Sequence, residues 1–235
     1  MKPATLQILS TRPLGQACVA EAGTKGIQVD EIEFIKIVPL QNDALQQKII
    51  GLAKQNIVAV FTSMNAVQSV ADMLGVHMPA WRIACLSQST KLLVEALFPH
   101  CNIIATGSDA VALVADLLPK LNEKEVHFFC SNIRRDAIPQ TLQENGVQVN
   151  ETFVYETHEL PMALEKQYDA VLFFSPSAVR SFFAANTAAS NTVMFATGPT
   201  TAAEIQRFCH NEILQPATPG KDELIKKMMN WAAAM

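Results

Sequence analysis

The sequence predicts an α/β protein made of two similar lobes, each a parallel sheet flanked by helices. Two observations predict this class. Short apolar runs of strand length alternate with helical patterns along the 235 residues, and several segments occur twice. Because 49% of the residues are hydrophobic and 17% are charged, the composition is typical of a globular chain with well-buried sheets.

Continuous apolar runs indicate the buried strands, since a strand of a parallel sheet is covered by helices on both faces. The runs are residues 6–9, 57–61, 82–86, 101–105, 126–129, 170–174 and 193–196. Cap residues predict helices between them. Asn42 or Asp43 is expected to begin one helix, and Ser108 or Asp109 another.

The internal duplication has two offsets. FTSMNAV at 61–67 has a counterpart in FFSPSAV at 173–179, 112 residues later, whereas GIQVDE at 26–31 matches GVQVNE at 146–151, 120 residues later. Two offsets define two kinds of block in the order B, A, B′, A′. Paired lobes are typical of proteins that enclose a ligand between them.

Residues 33–40 and 152–158 interrupt the alternation of strands and helices. Both segments look extended and follow the matched 26–31 and 146–151 stretches, so they are predicted to connect the lobes. The residues alone leave two arrangements open. Either consecutive blocks form a lobe, or each lobe combines blocks that are not adjacent in the sequence.

Composition also excludes several classes of function. The net charge of −4 argues against nucleic acid or an anionic membrane as partner. No apolar run reaches the roughly 18 residues that a membrane span needs, and no signal peptide precedes the first strand. The five cysteines show no paired spacing, which indicates a reduced, cytoplasmic protein. No GxGxxG follows a strand and no GxxxxGK[ST] occurs, which disfavours a nucleotide-dependent oxidoreductase.

A set of ordered motifs resembles the uroporphyrinogen-III synthase family. These are STRP at 10–13, FTSMNAV at 61–67, VYET at 154–157, FSPSAV at 174–179 and ATGPTTA at 196–202. The likeness covers nearly the whole chain, and its most specific part is GPTTA with SPSAV upstream. The chain departs from the family pattern at LSQS, 86–89, where a glycine is often found. That departure shifts the expected ligand contacts toward Gly198.

The resemblance implies a discontinuous first domain and a two-stranded antiparallel linker. Domain 1 would take residues 1–35 and 159–235, domain 2 residues 40–151, and the linker strands residues 33–40 and 152–158. The implied reaction is the closure of hydroxymethylbilane to uroporphyrinogen III, with inversion of ring D and loss of water. The family uses no metal or cofactor. A small two-lobed enzyme can work as a monomer, so a monomer is expected, together with transient contact to hydroxymethylbilane synthase.

Four polar residues are candidates for binding substrate because each begins a helix directly after a buried strand. They are Ser63, Asn65, Ser175 and Ser177. In an open α/β sheet this is the carboxyl edge, where ligands bind, and free N–H groups at helix N-termini suit carboxylates. The alternative is simple capping, because Ser and Asn are preferred N-cap residues in any helix.

The loop at 198–201 is a further candidate. Gly198 permits close approach of the backbone, and the hydroxyls of Thr200 and Thr201 follow it. A cap alone would need only one hydroxyl, and the resemblance also places this loop at the substrate.

Tyr155 and Arg12 complete the predicted site. The resemblance places Tyr155 on the linker, where its phenol could donate a hydrogen bond to the departing hydroxyl; a packing tyrosine is the alternative. Arg12 follows the first strand, and its guanidinium suits a carboxylate, although a surface arginine or a structural ion pair would look the same. Arg134 and Arg135 occupy the matching place in the second B block. The rival to an enzyme is a cytoplasmic two-lobed binding protein for a small polycarboxylate.

Overall fold

Eleven strands and nine helices alternate along the part of the chain that the computed structural model describes, residues 5–133 and 137–235. The strands are β1 (Leu6–Ser10), β2 (Ile27–Glu31), β3 (Ile35–Pro39), β4 (Val58–Phe61), β5 (Arg82–Leu86), β6 (Asn102–Gly107), β7 (Glu125–Ser131), β8 (Gln148–Glu159), β9 (Ala170–Phe173), β10 (Val193–Ala196) and β11 (Ile213–Leu214). The helices are α1 (Gln16–Thr24), α2 (Asp43–Ala53), α3 (Met64–Leu74), α4 (Ser89–Leu97), α5 (Ala110–Leu117), α6 (Ala137–Glu144), α7 (Pro176–Phe183), α8 (Pro199–Gln206) and α9 (Lys221–Ala232), with a 3-10 turn at Leu118–Lys120.

The chain divides into two units, and the first of them is discontinuous. Unit 1 takes residues up to Lys36 and from His158 onward, and unit 2 takes Ile37–Thr157. Both boundaries fall inside the segments that the sequence predicts as linkers, 33–40 and 152–158.

Unit 1 contains a five-stranded sheet in the order β11-β10-β9-β1-β2, in which every neighbouring pair is parallel. Successive residues of β9 alternate between two core layers. Val171 and Phe173 pack with α7 and α8, whereas Ala170 and Leu172 pack with α1 and α9. Because both faces are covered, the strand reads as a continuous apolar run.

The second sheet has six strands in the order β3-β8-β7-β4-β5-β6. The pairs from β8 to β6 are parallel. Strands β3 and β8 run antiparallel, as two hydrogen bonds at their ends show. Leu40 N–H donates to Val154 C=O at 3.0 Å, and Leu160 N–H donates to Phe34 C=O at 2.9 Å. The α/β class with mainly parallel sheets is confirmed.

Strand β4 in unit 2 shows the same two-sided burial. Ala59 and Phe61 pack in a layer with α2, α3 and α4, and Val58 and Val60 pack in a layer with α5 and α6. All four residues are at most 1% exposed. The edge strands differ, because each has one neighbour and half-exposed side chains. The apolar-run criterion missed the edge strands β2, β3 and β11 but found the edge strand β6. It also missed β8, a strand inside the sheet that is rich in polar residues.

Several local predictions are confirmed. Asn42 caps α2 by accepting from Leu45 N–H at 2.8 Å, and Asp109 caps α5 by accepting from Ala112 N–H at 2.9 Å. Gly146, just after α6, has a left-handed φ of 76°, a conformation that glycine adopts without strain.

None of the five cysteines forms a disulfide in the part of the chain that the structure describes. Burial raises the pKa of the Cys85 thiol to about 11, which makes that thiol a poor nucleophile at neutral pH. No helix in the described ranges is long and apolar enough to cross a membrane.

Replacing Gly107 by Ala should destabilise the protein. A methyl group at this position would lie 2.2 Å from Leu113 N and 2.5 Å from Leu113 Cα, and the backbone at the start of α5 would have to move. We expect Gly107→Ala to lower the free energy of unfolding by about 1–3 kcal/mol, measured by urea denaturation.

The matched control is Gly51→Ala, inside α2. Beyond its chain neighbours and the backbone of α2 itself, no atom lies within 4 Å of a methyl group at that position. Alanine should therefore raise the free energy of unfolding by about 0.5–1 kcal/mol through helix propensity. Equal stability of the Gly107→Ala variant and the unmodified protein would contradict the assigned packing of α5.

Candidate functional site

The carboxyl edges of the two parallel sheets hold the predicted site residues. Strands β4, β5, β9 and β10 are each followed within a few residues by a helix. The positive end of each helix dipole therefore lies at this edge, together with backbone N–H groups that have no partner inside the helix. Each unit has its own such edge.

In unit 2, Ser63 is the N-cap of α3. Its Oγ accepts a hydrogen bond from Asn65 N–H at 3.1 Å, in the extended backbone conformation typical of this position. The Asn65 side chain is exposed at the start of the helix. The capping interaction is thus present, and it leaves the first turn of α3 accessible.

Tyr155 contacts this cap directly. Its hydroxyl donates to Ser63 Oγ at 3.0 Å, and the residue is 7% exposed. Two residues that the sequence analysis predicts as site residues, 92 positions apart, are therefore in hydrogen-bond contact in unit 2.

A β-bulge aims Tyr155 at Ser63. Along the β7–β8 ladder Cys130 pairs with Phe153, but the next residue, Ser131, pairs with Tyr155, so Val154 is an extra residue. Val154 and Tyr155 consequently both enter one core layer, although neighbours in a regular strand point to opposite faces. Without the bulge, Tyr155 would share the face of Phe153, which is 48% exposed.

Asn132 holds β8 beyond the bulge, and sequence reasoning missed it. Its Oδ1 accepts from Thr157 N–H at 2.8 Å, and its Nδ2 donates to Thr157 C=O at 3.4 Å. The amide side chain thereby continues the ladder after β7 ends. The only sequence signal of the bulge is the run of three apolar residues Phe153, Val154 and Tyr155, which breaks the alternation of the strand.

The 86–89 loop, where the chain departs from the family pattern, has an unusual conformation. Gln88 has a φ of 67° and is the only non-glycine residue with positive φ in the described ranges. It precedes α4 without a side-chain cap. A glycine would adopt this backbone without the strain that a side chain adds.

In unit 1, Ser175 is the N-cap of α7. Its Oγ accepts from Ala178 N–H at 3.2 Å and lies 3.2 Å from Ser177 Oγ, where either hydroxyl could donate. Both residues are half-buried. The paired hydroxyls lie next to the first turn of the helix.

Helix α8 begins differently, because Gly198 is its N-cap and no side chain caps it. A methyl group at Gly198 would lie 3.2 Å from Pro219 Cβ, so a side chain here would crowd the neighbouring loop. Thr200 is exposed, whereas Thr201 is 3% exposed. The accessible hydroxyl of this loop is therefore that of Thr200, and a substrate contact from Thr201 stays a prediction.

Arg12 lies just after β1 in unit 1. Its guanidinium carbon is 5.5 Å from the centre of the Phe174 ring, the side chain is exposed, and it forms no ion pair with any residue that the structure describes. Lys221, at the start of α9, donates to the carbonyl oxygens of Pro13 and Leu14 at 3.1 and 3.0 Å. This lysine, which sequence reasoning missed, fixes the loop that follows Arg12. Arg134 and Arg135 lie outside the described residues.

An ion-pair network ties α7 and α8 to the end of β8. Arg180 Nε lies 2.9 Å from Glu159 and its Nη1 lies 3.5 Å from Glu204, which Arg207 also contacts at 3.1 Å. The Glu204 side chain is 11% exposed. Because α7 and α8 begin at Ser175 and Gly198, this network stabilises the two helix starts that form the unit 1 edge.

Removing Arg180 should destabilise unit 1, since a nearly buried carboxylate would lose a charged partner. We expect Arg180→Met to lower the free energy of unfolding by about 1–3 kcal/mol, measured by urea denaturation. Arg207→Met is the matched control, because Arg207 contacts the same carboxylate but its side chain is 71% exposed, and exposed pairs contribute about 0–1 kcal/mol. Equal losses in the two variants would refute a special role for Arg180.

Comparisons with known proteins agree with the geometry. The family model described as uroporphyrinogen-III synthase HemD matches residues 16–226. The uroporphyrinogen-III synthetase of Helicobacter pylori is 16% identical, covers 96% of this chain and 99% of its own, and superposes with a TM-score of 0.65. A mutant uroporphyrinogen III synthase of Thermus thermophilus is 14% identical, covers 97% and 99%, and gives a TM-score of 0.69.

A search of curated proteins finds no match. The solved structures, at these identities, show the fold, and the family model covers far more than half of the sequence. The chain therefore belongs to the uroporphyrinogen-III synthase HemD family, hydro-lyases of haem biosynthesis that act on a small tetrapyrrole.

Proposed function

We propose that this chain closes hydroxymethylbilane to uroporphyrinogen III, with ring D inverted and one water lost, using the carboxyl-edge residues described above. The observation that supports this most strongly is the family match over residues 16–226. The match favours the enzyme over the polycarboxylate-binding protein that the residues alone also allowed.

The chemistry divides into two tasks. The flexible linear substrate must be held in one conformation, because it otherwise closes to the symmetrical type I isomer, and such positioning supplies much of the rate in reactions of this kind. The departing hydroxyl must also receive a hydrogen bond or a proton. The described residues offer groups for both tasks.

Carboxylate binding is assigned to helix starts and one arginine. At the unit 1 edge, the uncapped start of α8 with Gly198 and Thr200, the Ser175–Ser177 pair and the exposed Arg12 all offer hydrogen-bond donors. At the unit 2 edge, the start of α3, with Ser63 and Asn65, also offers hydrogen-bond donors. Donors of this kind bind carboxylates even in a chain whose net charge is −4.

Assistance to the departing hydroxyl is assigned to the hydrogen-bonded pair of Tyr155 and Ser63. The two hydroxyls lie 3.0 Å apart at the start of α3, and a hydroxyl can donate a hydrogen bond.

The setting of the reaction is proposed from its chemistry. Hydroxymethylbilane closes spontaneously, so a transient contact with hydroxymethylbilane synthase would shorten the exposure of the substrate to water. The five cysteines form no disulfide among the described residues, which supports a reducing, cytoplasmic compartment. A monomer is proposed, and size-exclusion chromatography of the protein would test it.

The reaction itself is tested by adding hydroxymethylbilane to the protein, oxidising the products and separating the porphyrin isomers by chromatography. We expect the type III isomer in excess over a control without protein. Formation of the type I isomer alone would refute the proposed function.

The arginine assignment predicts a binding defect. Arg12→Gln should raise KM for hydroxymethylbilane about tenfold, as the loss of one charge-assisted hydrogen bond would, and leave kcat nearly unchanged. Arg207→Gln is the control, because its guanidinium is also exposed in unit 1 but follows α8 rather than preceding a helix. An unchanged KM in Arg12→Gln would exclude this contact.

A further inference from the structure

The hydrogen bonds that Ser63 already accepts leave its hydroxyl able to act toward a ligand only as a donor. A serine hydroxyl has one hydrogen to donate and two lone pairs that accept. Ser63 Oγ accepts from Asn65 N–H at 3.1 Å and from the Tyr155 hydroxyl at 3.0 Å. No described residue accepts the hydrogen of Ser63 itself. What remains available at this helix start is a hydrogen-bond donor.

Tyr155 is in the opposite situation. Its one hydroxyl hydrogen is already donated to Ser63, and the residue is 7% exposed, whereas Ser63 is half-buried. The phenol cannot donate to Ser63 and to a ligand at the same time. Donation to Ser63 Oγ also polarises the serine hydroxyl and strengthens it as a donor, as in other hydrogen-bonded chains.

The β-bulge fixes the position of the Tyr155 side chain in this chain of hydrogen bonds. It places Tyr155 beside Ser131 at the end of β7, and Asn132 holds the strand there through Thr157. Bulges of this kind re-aim side chains next to functional sites.

The equivalent cap in unit 1 has no such fixed direction. Ser175 Oγ accepts from Ala178 N–H, and its second contact is Ser177 Oγ at 3.2 Å, where either hydroxyl could donate. Ser175 can therefore donate or accept toward a ligand, whereas Ser63 can only donate.

We propose that Ser63 presents its hydroxyl hydrogen to an oxygen of the substrate and that Tyr155 is a positioning residue that acts through Ser63. The inference rests on the proposed function and names the group that touches the substrate. The accepting oxygen belongs to a carboxylate or to the departing hydroxyl, which share the required acceptor chemistry. No bond to the enzyme forms, and no cofactor is involved.

A double-mutant cycle tests this inference. Ser63→Ala, Tyr155→Phe and the double variant are compared with the unmodified protein by kcat, KM and the share of the type III isomer. We expect Tyr155→Phe to lower kcat/KM about three- to tenfold and Ser63→Ala to lower it more, in keeping with the loss of one hydrogen bond. The double variant should equal Ser63→Ala, because Tyr155 has no effect without the serine hydroxyl.

The cycle overturns the inference if Tyr155→Phe costs as much in the Ser63→Ala background as in the unmodified protein. In that case Tyr155 touches the substrate itself. A fall in kcat at constant KM assigns the accepting oxygen to the departing hydroxyl, and a rise in KM at constant kcat assigns it to a carboxylate; both support a donor at Ser63.

Two substitutions at Ser63 separate donation from capping. Aspartate is a good N-cap residue and can accept from Asn65 N–H and from Tyr155, but it has no hydrogen to donate. Ser63→Asp should therefore keep the melting temperature and lose activity, while Ser63→Thr, which restores a hydroxyl, should regain activity that Ser63→Asp loses. Full activity in Ser63→Asp would overturn the inference.

Asn42→Ala controls for the loss of a cap. It removes the side-chain cap of α2 in the same unit and should lower the melting temperature without changing kcat or KM.

The product that the unmodified protein forms separates a failure of the proposed function from a failure of this inference. If it forms only the type I isomer, the proposed function and the inference both fail, whereas type III product with an additive cycle refutes the inference alone.

Discussion

Burial of both faces of each parallel sheet is the constraint on which the rest of the structure depends. Phe61 in β4 and Phe173 in β9 are fully buried between layers of helices, so no substrate can reach the sheets from either face. Parallel strands joined by helices also place successive helix starts at one edge. Helix N-termini with unpaired N–H groups are therefore concentrated where the strands end, and this is the edge to which the proposed site residues of both units belong.

The same constraint explains how much of the fold the sequence predicts. Central strands such as β4 and β9 are covered on both sides, so each reads as an apolar run that is visible without any structure. The edge strand β2, whose residues include Gln28 and Asp30, is half-exposed and has no such run. The caps at Asn42 and Asp109 were predictable because capping depends on neighbours within four residues. The division of the chain into a discontinuous unit and an inserted one followed only from the resemblance, since periodicity carries no information on which blocks pack together.

Parts of the candidate site likewise depend on neighbouring residues in the sequence, and other parts depend on residues far apart in it. Ser63 and Ser175 were predictable, because a polar residue between a buried strand and a helix is a local pattern. The hydrogen bond from Tyr155 to Ser63 was not, since it depends on the register of β8 against β7 and on one extra residue, Val154. Lys221 was missed for a similar reason. Its partners Pro13 and Leu14 are more than 200 positions away in sequence, and an isolated lysine at a helix start gives no signal of a loop contact.

The duplicated units differ in how their helices begin, and this difference bears on where carboxylates bind. In unit 2, side chains cap α2, α3 and α5, and among the helix starts with a described N-cap only α4 lacks one. In unit 1 a side chain caps α7, whereas α1, α8 and α9 begin at Gly15, Gly198 and Gly220 without a side-chain cap. A side-chain cap satisfies an N–H group that a glycine leaves for a ligand. Unit 1, with Arg12 nearby, is therefore better suited to hold several carboxylates, and unit 2, with its directed Tyr155–Ser63 pair, to supply a single oriented donor. The two units thus begin their helices differently, which fits the proposed division between carboxylate binding and donation of a single hydrogen bond.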